Sequence, residues 1–280
     1  MDHRPALETL RLRRIQNDPP GFFARELPST NETLKSLILA SEPDPLTFLL
    51  CGRQTRGRGR PGNVWSSVRG DLAMSLWIPQ KDLGGDLPLS LYVAGACLEA
   101  LPEIPGVRWK YPNDLCRKFS TGLDPDGESS VGKLGGILVE PLRQDGVLRG
   151  HVAGIGINLA GDRPPVPLAD GALPIVTLAP TSLTPLSLSR RIVIALRALL
   201  ARGDDPLRMC LDRHLLWRGR WVAYTQEGED GGAPRSCLGR VAGLSKEGWL
   251  KVVDPDGCPC LLPPHVRTVR LLERSGGKDV

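Results

Sequence analysis

Residues 51–70 (CGRQTRGRGRPGNVWSSVRG) hold five arginines, Arg53, Arg56, Arg58, Arg60 and Arg69, and no acid. That local charge equals the net charge of the whole chain, +5 from 36 Lys plus Arg against 31 Asp plus Glu. Gly57, Gly59 and Gly62 interleave with Arg58 and Arg60, which describes a loop whose backbone can approach a ligand while guanidinium groups neutralise a phosphate or carboxylate. The same glycines satisfy G-x-G-x-x-G, but residues 63–67 lead into a strand, so the helix N-terminus that would hold a dinucleotide pyrophosphate is missing. A second constellation, Lys110-Tyr111-Pro112-Asn113-Asp114, ends a short hydrophobic run; Pro112 fixes a turn, and Asn113 and Asp114 can satisfy exposed backbone groups. Taken alone, a lysine there also suits an ordinary surface position. Lys133-Leu134-Gly135-Gly136-Ile137-Leu138-Val139-Glu140 and Gly154-Ile155-Gly156-Ile157-Asn158 place glycine pairs inside strand-like runs. Interior glycines weaken a strand, so they point to close approach of a ligand or another backbone, or to a β-bulge.

Other chemistries lack a motif. No G-x-x-x-x-G-K-[ST] loop and no G-x-S-x-G elbow occurs, and His3, His151, His214 and His265 are dispersed. Cys258-Pro-Cys260 has no companion C-x-C or C-x-x-C pair, so no metal site is expected. The seven cysteines are scattered, odd in number, and fit reduced thiols better than a disulfide framework. The N-terminal residues carry Asp2, Arg4 and Glu8 with no apolar core, which argues against a signal peptide. The longest apolar stretch, 192–200, is too short and charge-interrupted to span a bilayer. A cytoplasmic protein with no membrane partner is expected, and the charge surplus is too small for a nucleic-acid coat.

The elements that must position these residues form a mixed α/β pattern within 280 residues. Residues 1–20 read as a loose arm or short helix. Residues 21–27 suit a strand, followed by an N-cap cluster, Ser29-Thr30-Asn31, and a helix marked by Leu34, Leu37 and Ile38. Strands are expected over 46–51, 72–78, 107–110, 136–140 and 152–158, with a helix through Leu91, Ala94, Leu98 and Leu101. Long polar or Pro-rich connections at 117–132 and 161–181 read as lids or insertions. Helices follow over 187–202, stopped by Gly203, and 206–217. From Trp221 onward the texture changes to short strand-like runs broken by glycine, a small β-barrel-like domain of about fifty residues.

Taken in this order, the four motifs, with Ser29-Thr30-Asn31 in front and Gln54 ahead of the glycine loop, resemble the biotin–protein ligase family over about residues 21–272. The resemblance implies an α+β fold of the class II aminoacyl-tRNA synthetase and biotin ligase type: a mixed sheet with helices on one side over 21–218, then an SH3-like domain over 219–274 and a tail at 275–280. It implies biotin and MgATP as substrates, a biotinyl-5′-AMP intermediate, transfer to one lysine of a carrier domain of acetyl-CoA carboxylase or a related carboxylase, and no prosthetic group. Lys110 and Arg60 are implied as catalytic residues. Ser29, Thr30, Asn31, Gln54, Gly57, Arg58, Gly59, Arg60, Lys110, Gly135, Gly136, Gly154 and Gly156 are implied as the biotin site. Arg58, Arg60, Trp65, Asn113, Lys133, Asn158 and Arg270 are implied as nucleotide contacts, with the segment 161–181 folded over the adenine. Pro61 and Asn63 stand where the family's loop is commonly basic, and Tyr111 where it carries Trp. Residues 1–20 are too few for the DNA-binding domain of regulatory members, so no repressor activity and no DNA partner are expected; a homodimer stays open. The rival is a lipoate–protein ligase or octanoyltransferase, which uses a different acid.

Overall fold

The structure is a computed structural model that describes residues 12–16, 19–101, 104–119, 130–160, 173–178, 181–226, 235–266 and 269–272. Its main sheet has eight strands in the order β1-β2-β3-β4-β8-β7-β6-β5. They are Arg13–Ile15, Gly21–Ala24, Phe48–Cys51, Leu72–Pro79, Val107–Lys110, Asp114–Phe119, Ser130–Gln144 and Val147–Ile157, numbered β1 to β8 along the chain. β2 and β3 run parallel across helix α1, Thr30–Ser41, and every other pair is antiparallel, so the sheet is mixed as expected. Residues 13–15, expected in a loose arm, add an edge strand through Arg13↔Phe23 and Ile15↔Gly21.

Alternation along the central strands divides the core between two faces. Phe48 and Leu50 of β3 and Met74, Leu76 and Ile78 of β4 join the larger cluster, with helices α2, Leu89–Glu99, α3, Pro185–Arg202, and α4, Asp204–His214. Leu49, Cys51, Trp77 and Val152 point the other way, into a smaller cluster with Leu34, Leu37 and Ile38 of α1. Among the described residues, three helices therefore stack on one face, and α1 lies across the other. α3 starts at a capping box between Thr184 and Ser187 with Pro185 in its first turn, and Gly203 at φ 84° ends it.

β7 and β8 form a long hairpin whose turn residues, Asp145 at φ 50° and Gly146 at φ 79°, both lie in the left-handed region that a tight hairpin turn needs. β6 is the strand the sequence hides: Arg117 and Lys118 obscure its alternation, and a bulge between Leu115 and Cys116 shifts its register against β7. It occupies the start of the segment read as an insertion at 117–132, whose residues 120–129 lie outside the described residues.

The second sheet is five-stranded and antiparallel, β12-β11-β10-β9-β13, made of β9 Trp221–Gln226, β10 Arg235–Leu244, β11 Leu250–Val253, β12 Pro259–Leu262 and β13 Val269–Leu271. Val222, Tyr224, Val241 and Leu244 belong to the same core cluster as the main sheet. Leu216 N–H donates to the Trp109 carbonyl at 2.8 Å, and the Tyr111 hydroxyl donates to the Leu262 carbonyl at 2.8 Å. The two sheets are thus fixed against each other at the end of β5, where the lysine motif sits.

Candidate active site

An open cleft of about 1630 Å³ runs over the α1 face of the main sheet and under the edge of the second sheet. Its polar end is built from α1, β3 and β4. Ser29 is the N-cap of α1 but makes no side-chain cap bond; the first turn instead turns to Gln54, whose Oε1 accepts from Thr30 N–H at 2.8 Å. Thr30 Oγ1 lies 3.1 Å from the same oxygen. Ser75, buried on β4, lies 2.7 Å from Thr30 Oγ1 and 2.6 Å from Asn31 Oδ1. Asn31 Nδ2 donates to Glu140 of β7 at 2.7 Å.

The cationic end lies on β5, β6 and β7. Asp114 sits between Lys110 Nζ at 3.6 Å and Lys133 Nζ at 2.7 Å. Lys110 also lies 5.6 Å from the centre of the Trp217 ring, an aromatic face that attracts a cation. The Tyr111–Pro112 peptide bond is cis. Asn113 closes the turn onto β7: its Nδ2 donates to the Ile137 carbonyl at 3.1 Å and its own carbonyl accepts from Ile137 N–H at 2.9 Å. From β4 to β6 is three strand spacings, so the two ends are roughly 14 Å apart.

The arginine-glycine loop roofs the cleft, held at both ends. Arg58 pairs with Glu32 at 2.5 Å and with Glu140 at 3.4 Å. Arg60 crosses to the second sheet's domain, donating to the carbonyls of Val266 at 2.8 Å and His265 at 3.2 Å, with Asn113 Oδ1 at 3.5 Å. Trp65 lies over the glycines of the hairpin: a Cβ on Gly156 would collide with its indole, and one on Gly136 would touch it at 3.5 Å. These glycines admit a flat group against the strand backbone, a specific use of a missing side chain.

Of the residues singled out from sequence, Ser29, Thr30, Asn31, Gln54, Arg58, Gly59, Arg60, Trp65, Lys110, Asn113, Lys133, Gly136, Gly154, Gly156 and Arg270 line this one cleft. Gly57, Gly135 and Asn158 stand behind the lining. Gly57 packs on the Trp65 carbonyl, Gly135 faces the Gly156 carbonyl, where a Cβ would come within 2.5 Å, and Asn158 is buried with Nδ2 donating to the Lys133 carbonyl at 3.3 Å. Of the expected adenine cover, 161–172 and 179–180 lie outside the described residues; Leu173 and Pro174 line the cleft, and Ile175 bridges to Lys133. Sequence reasoning missed Ser75, Trp217 and His265 as site neighbours, and it read Glu140 and Asp114 only as parts of motifs.

Gly154 gives a direct test of the polar end. A Cβ there would come within 2.5 Å of Asn31 Oδ1, the end of a short side chain and not backbone. Gly154→Ala is expected to keep the fold while displacing the Asn31 amide from Ser75 and Glu140; the lost bond to a charged partner contributes about 1.5–3 kcal/mol to stability, so the melting temperature should fall by several degrees. The acid substrate then meets a disordered polar end and should bind about 10-fold more weakly in titration calorimetry. Unchanged affinity would mean that Asn31 does not shape the pocket.

Polar hydrogen-bonding groups at one end of a cleft, paired lysines at the other and an arginine roof could hold an acid beside a phosphate-bearing partner. Residues 23–158 match the model of the biotin/lipoate A/B protein ligase family. That segment, just under half of the chain, is similar to this family. Among curated relatives, it is 26% identical to the human biotin–protein ligase, over 91% of this chain and 35% of that protein. It is 27% identical to the bifunctional ligase/repressor BirA of Bacillus subtilis, over 82% of this chain and 68% of that protein. The chain therefore spans about a third of the first relative's length and two thirds of the second's. Among solved structures, the biotin protein ligase of Aquifex aeolicus in complex with biotin and ATP superposes with a TM-score of 0.69 at 24% identity, over 92% of this chain and 100% of that one. The Leishmania major biotin protein ligase with biotinyl-5-AMP gives 0.57 at 22% identity, over 87% and 98%. These structures share the fold.

Proposed function

We propose that this chain is a biotin–protein ligase that activates biotin with MgATP and transfers it to a lysine of a biotin carboxyl carrier domain. The observation that carries the reading is the shared cleft: the Thr30–Gln54 polar end and the Lys110–Lys133 cationic end lie along one groove beneath the Arg58–Arg60 loop. The ureido ring of biotin suits the polar end, which offers both donors and acceptors. Its carboxylate then extends toward Lys110.

In the first step a carboxylate oxygen of biotin attacks the α-phosphorus of ATP, and the bond to the bridging oxygen breaks to release pyrophosphate. Both reactants are anions, so Lys110, Lys133 and Arg60 serve by holding them together and offsetting the charge that gathers on the α-phosphate. In the second step a carrier lysine amine attacks the acyl carbon, and AMP leaves. Mg2+ arrives as a counter-ion of the triphosphate; Asp114 is the carboxylate among the lining residues that could face it. No group of three His, Cys, Asp or Glu that could cage a metal occurs among the described residues.

Arg58, Trp65, Asn113 and Arg270 are read as nucleotide contacts on the strength of their place on the cleft. The units are read as 21–218 for catalysis and 219–274 for the second domain. No described helix is long and apolar enough to cross a membrane, and we place the reaction in the cytoplasm. Arg58 and Arg60 of the arginine-rich loop face the cleft, which supports a ligase without DNA binding; a homodimer is compatible with this reading. The test is pyrophosphate release with MgATP and either biotin or lipoate. Release with biotin is expected, and turnover of lipoate alone would reject the proposal.

A further inference from the structure

The polar end of the cleft contains a buried hydrogen-bond relay whose direction is not arbitrary. Asn31 Nδ2 faces two groups that only accept, Glu140 Oε2 at 2.7 Å and the Leu138 carbonyl at 3.4 Å. With its amide nitrogen committed there, Asn31 turns Oδ1 to Ser75, and that 2.6 Å contact has to be a donation from the Ser75 hydroxyl. Ser75 has one proton. Its other contact, 2.7 Å to Thr30 Oγ1, must then run from Thr30 to Ser75. Thr30 in this state accepts from no protein group, and its oxygen, 3.1 Å from the Gln54 oxygen, keeps acceptor capacity for the cleft that it lines.

Turning the Asn31 amide over reverses the chain. Nδ2 would donate to Ser75, Ser75 to Thr30, and Thr30 to Gln54 Oε1 at 3.1 Å, so that a protein proton occupies part of the Thr30 acceptor capacity. The choice between the two directions is made at Glu140. That carboxylate is 16% exposed and flanked by Lys35 Nζ at 3.3 Å and Arg58 Nη2 at 3.4 Å. Lys35 shares Oε2 with the Asn31 amide and Arg58 faces Oε1, so the carboxylate is held as an acceptor toward Asn31.

We infer that Glu140 is a positioning and specificity-determining residue: through Asn31 and Ser75 it fixes Thr30 as a hydrogen-bond acceptor, so the pocket selects a ring that donates an N–H. The inference rests on the biotin reading and deepens it, because a ureido ring carries two N–H donors and a dithiolane ring carries none. A site built around a buried acceptor rejects an analogue lacking the donor strongly, since the acceptor is left unpaired.

The experiment measures dissociation constants of the full-length protein for biotin and for each of the two mono-N-methyl ureido analogues of biotin. Wild type should prefer biotin to one of these by on the order of 100-fold or more. Glu140→Ala removes the acceptor that holds the Asn31 amide nitrogen and leaves it only the Leu138 carbonyl at 3.4 Å, so the amide is free to turn over and the relay loses its fixed direction. The preference should fall by about 10-fold, the worth of one hydrogen bond. Adding Ser75→Ala removes the group that transmits the change, and Glu140→Ala should then have no further effect on the preference. An unchanged preference in Glu140→Ala, or an equal drop with and without Ser75, would overturn the relay, as would wild type binding biotin and both analogues alike. Wild type that binds none of the three would overturn the biotin reading itself.

Discussion

Lys110→Ala is expected to slow biotin- and ATP-dependent pyrophosphate release by on the order of 10²–10³-fold, the cost typical of removing one preorganised charge-stabilising donor from a reacting centre. Lys110 sits at the end of β5, where Tyr111, Asn113 and the Trp217 ring fix its surroundings and Asp114 lies 3.6 Å from Nζ. A lysine so placed does not have to be ordered when the anions arrive, which makes its charge effective. Lys133 stays on the other side of Asp114 and keeps part of the binding energy, so the loss should fall mainly on kcat, with KM for ATP changed far less. Lys110 is only partly buried and its removal leaves no cavity in the core, so the melting temperature should hold. An unchanged rate of pyrophosphate release would refute the role assigned to it.

Arg60→Gly should slow adenylation less than Lys110→Ala does, because Lys110 and Lys133 remain, and release its product early. The side chain is the loop's tie to the second domain, through the carbonyls of His265 and Val266, and its loss also frees the loop backbone. Each hydrogen bond from a charged donor contributes about 1.5–3 kcal/mol, so losing this tie should speed dissociation of labelled biotinyl-5′-AMP by about 10–100-fold. Escaped adenylate acylates whatever amine it meets, and biotin should appear on bystander lysines by mass spectrometry. Arg58, tied separately to Glu32 and Glu140, still holds the other end of the loop. Retention equal to wild type would count against the loop as the barrier between the mixed anhydride and water.

Both outcomes turn on residues whose importance is visible along the chain but whose action is not. The arginine-glycine loop stands out because five cations with no acid are unusual, and the lysine motif because Pro112 and Asn113 announce a turn after a strand. Their partners carry no such mark. Val266 and His265 enter through backbone carbonyls, which any sequence supplies, and Trp217 reaches Lys110 only because the chain leaving α4 returns across β5. The position of α1 was equally hidden: the spacing of Leu34, Leu37 and Ile38 makes a helix with an apolar face without saying which face of the sheet receives it.

The relay from Thr30 to Glu140 sets the boundary most clearly. The sequence by itself determined the elements: apolar alternation made β4 a strand, the apolar runs around the glycine pairs marked β7 and β8, and Gly203 marked the end of α3. In such a pattern Ser75 is only a small polar residue among Leu, Met and Trp, and Glu140 only the end of a strand. Tertiary structure alone brought them together, because pairing of β4 with β8 and β8 with β7 aligns Ser75 with Gly154 and Gly154 with Leu138. Gly154, having no side chain, leaves the space in which Asn31 crosses between them. Adjacency across a sheet is set by register between distant segments, and no local periodicity records it.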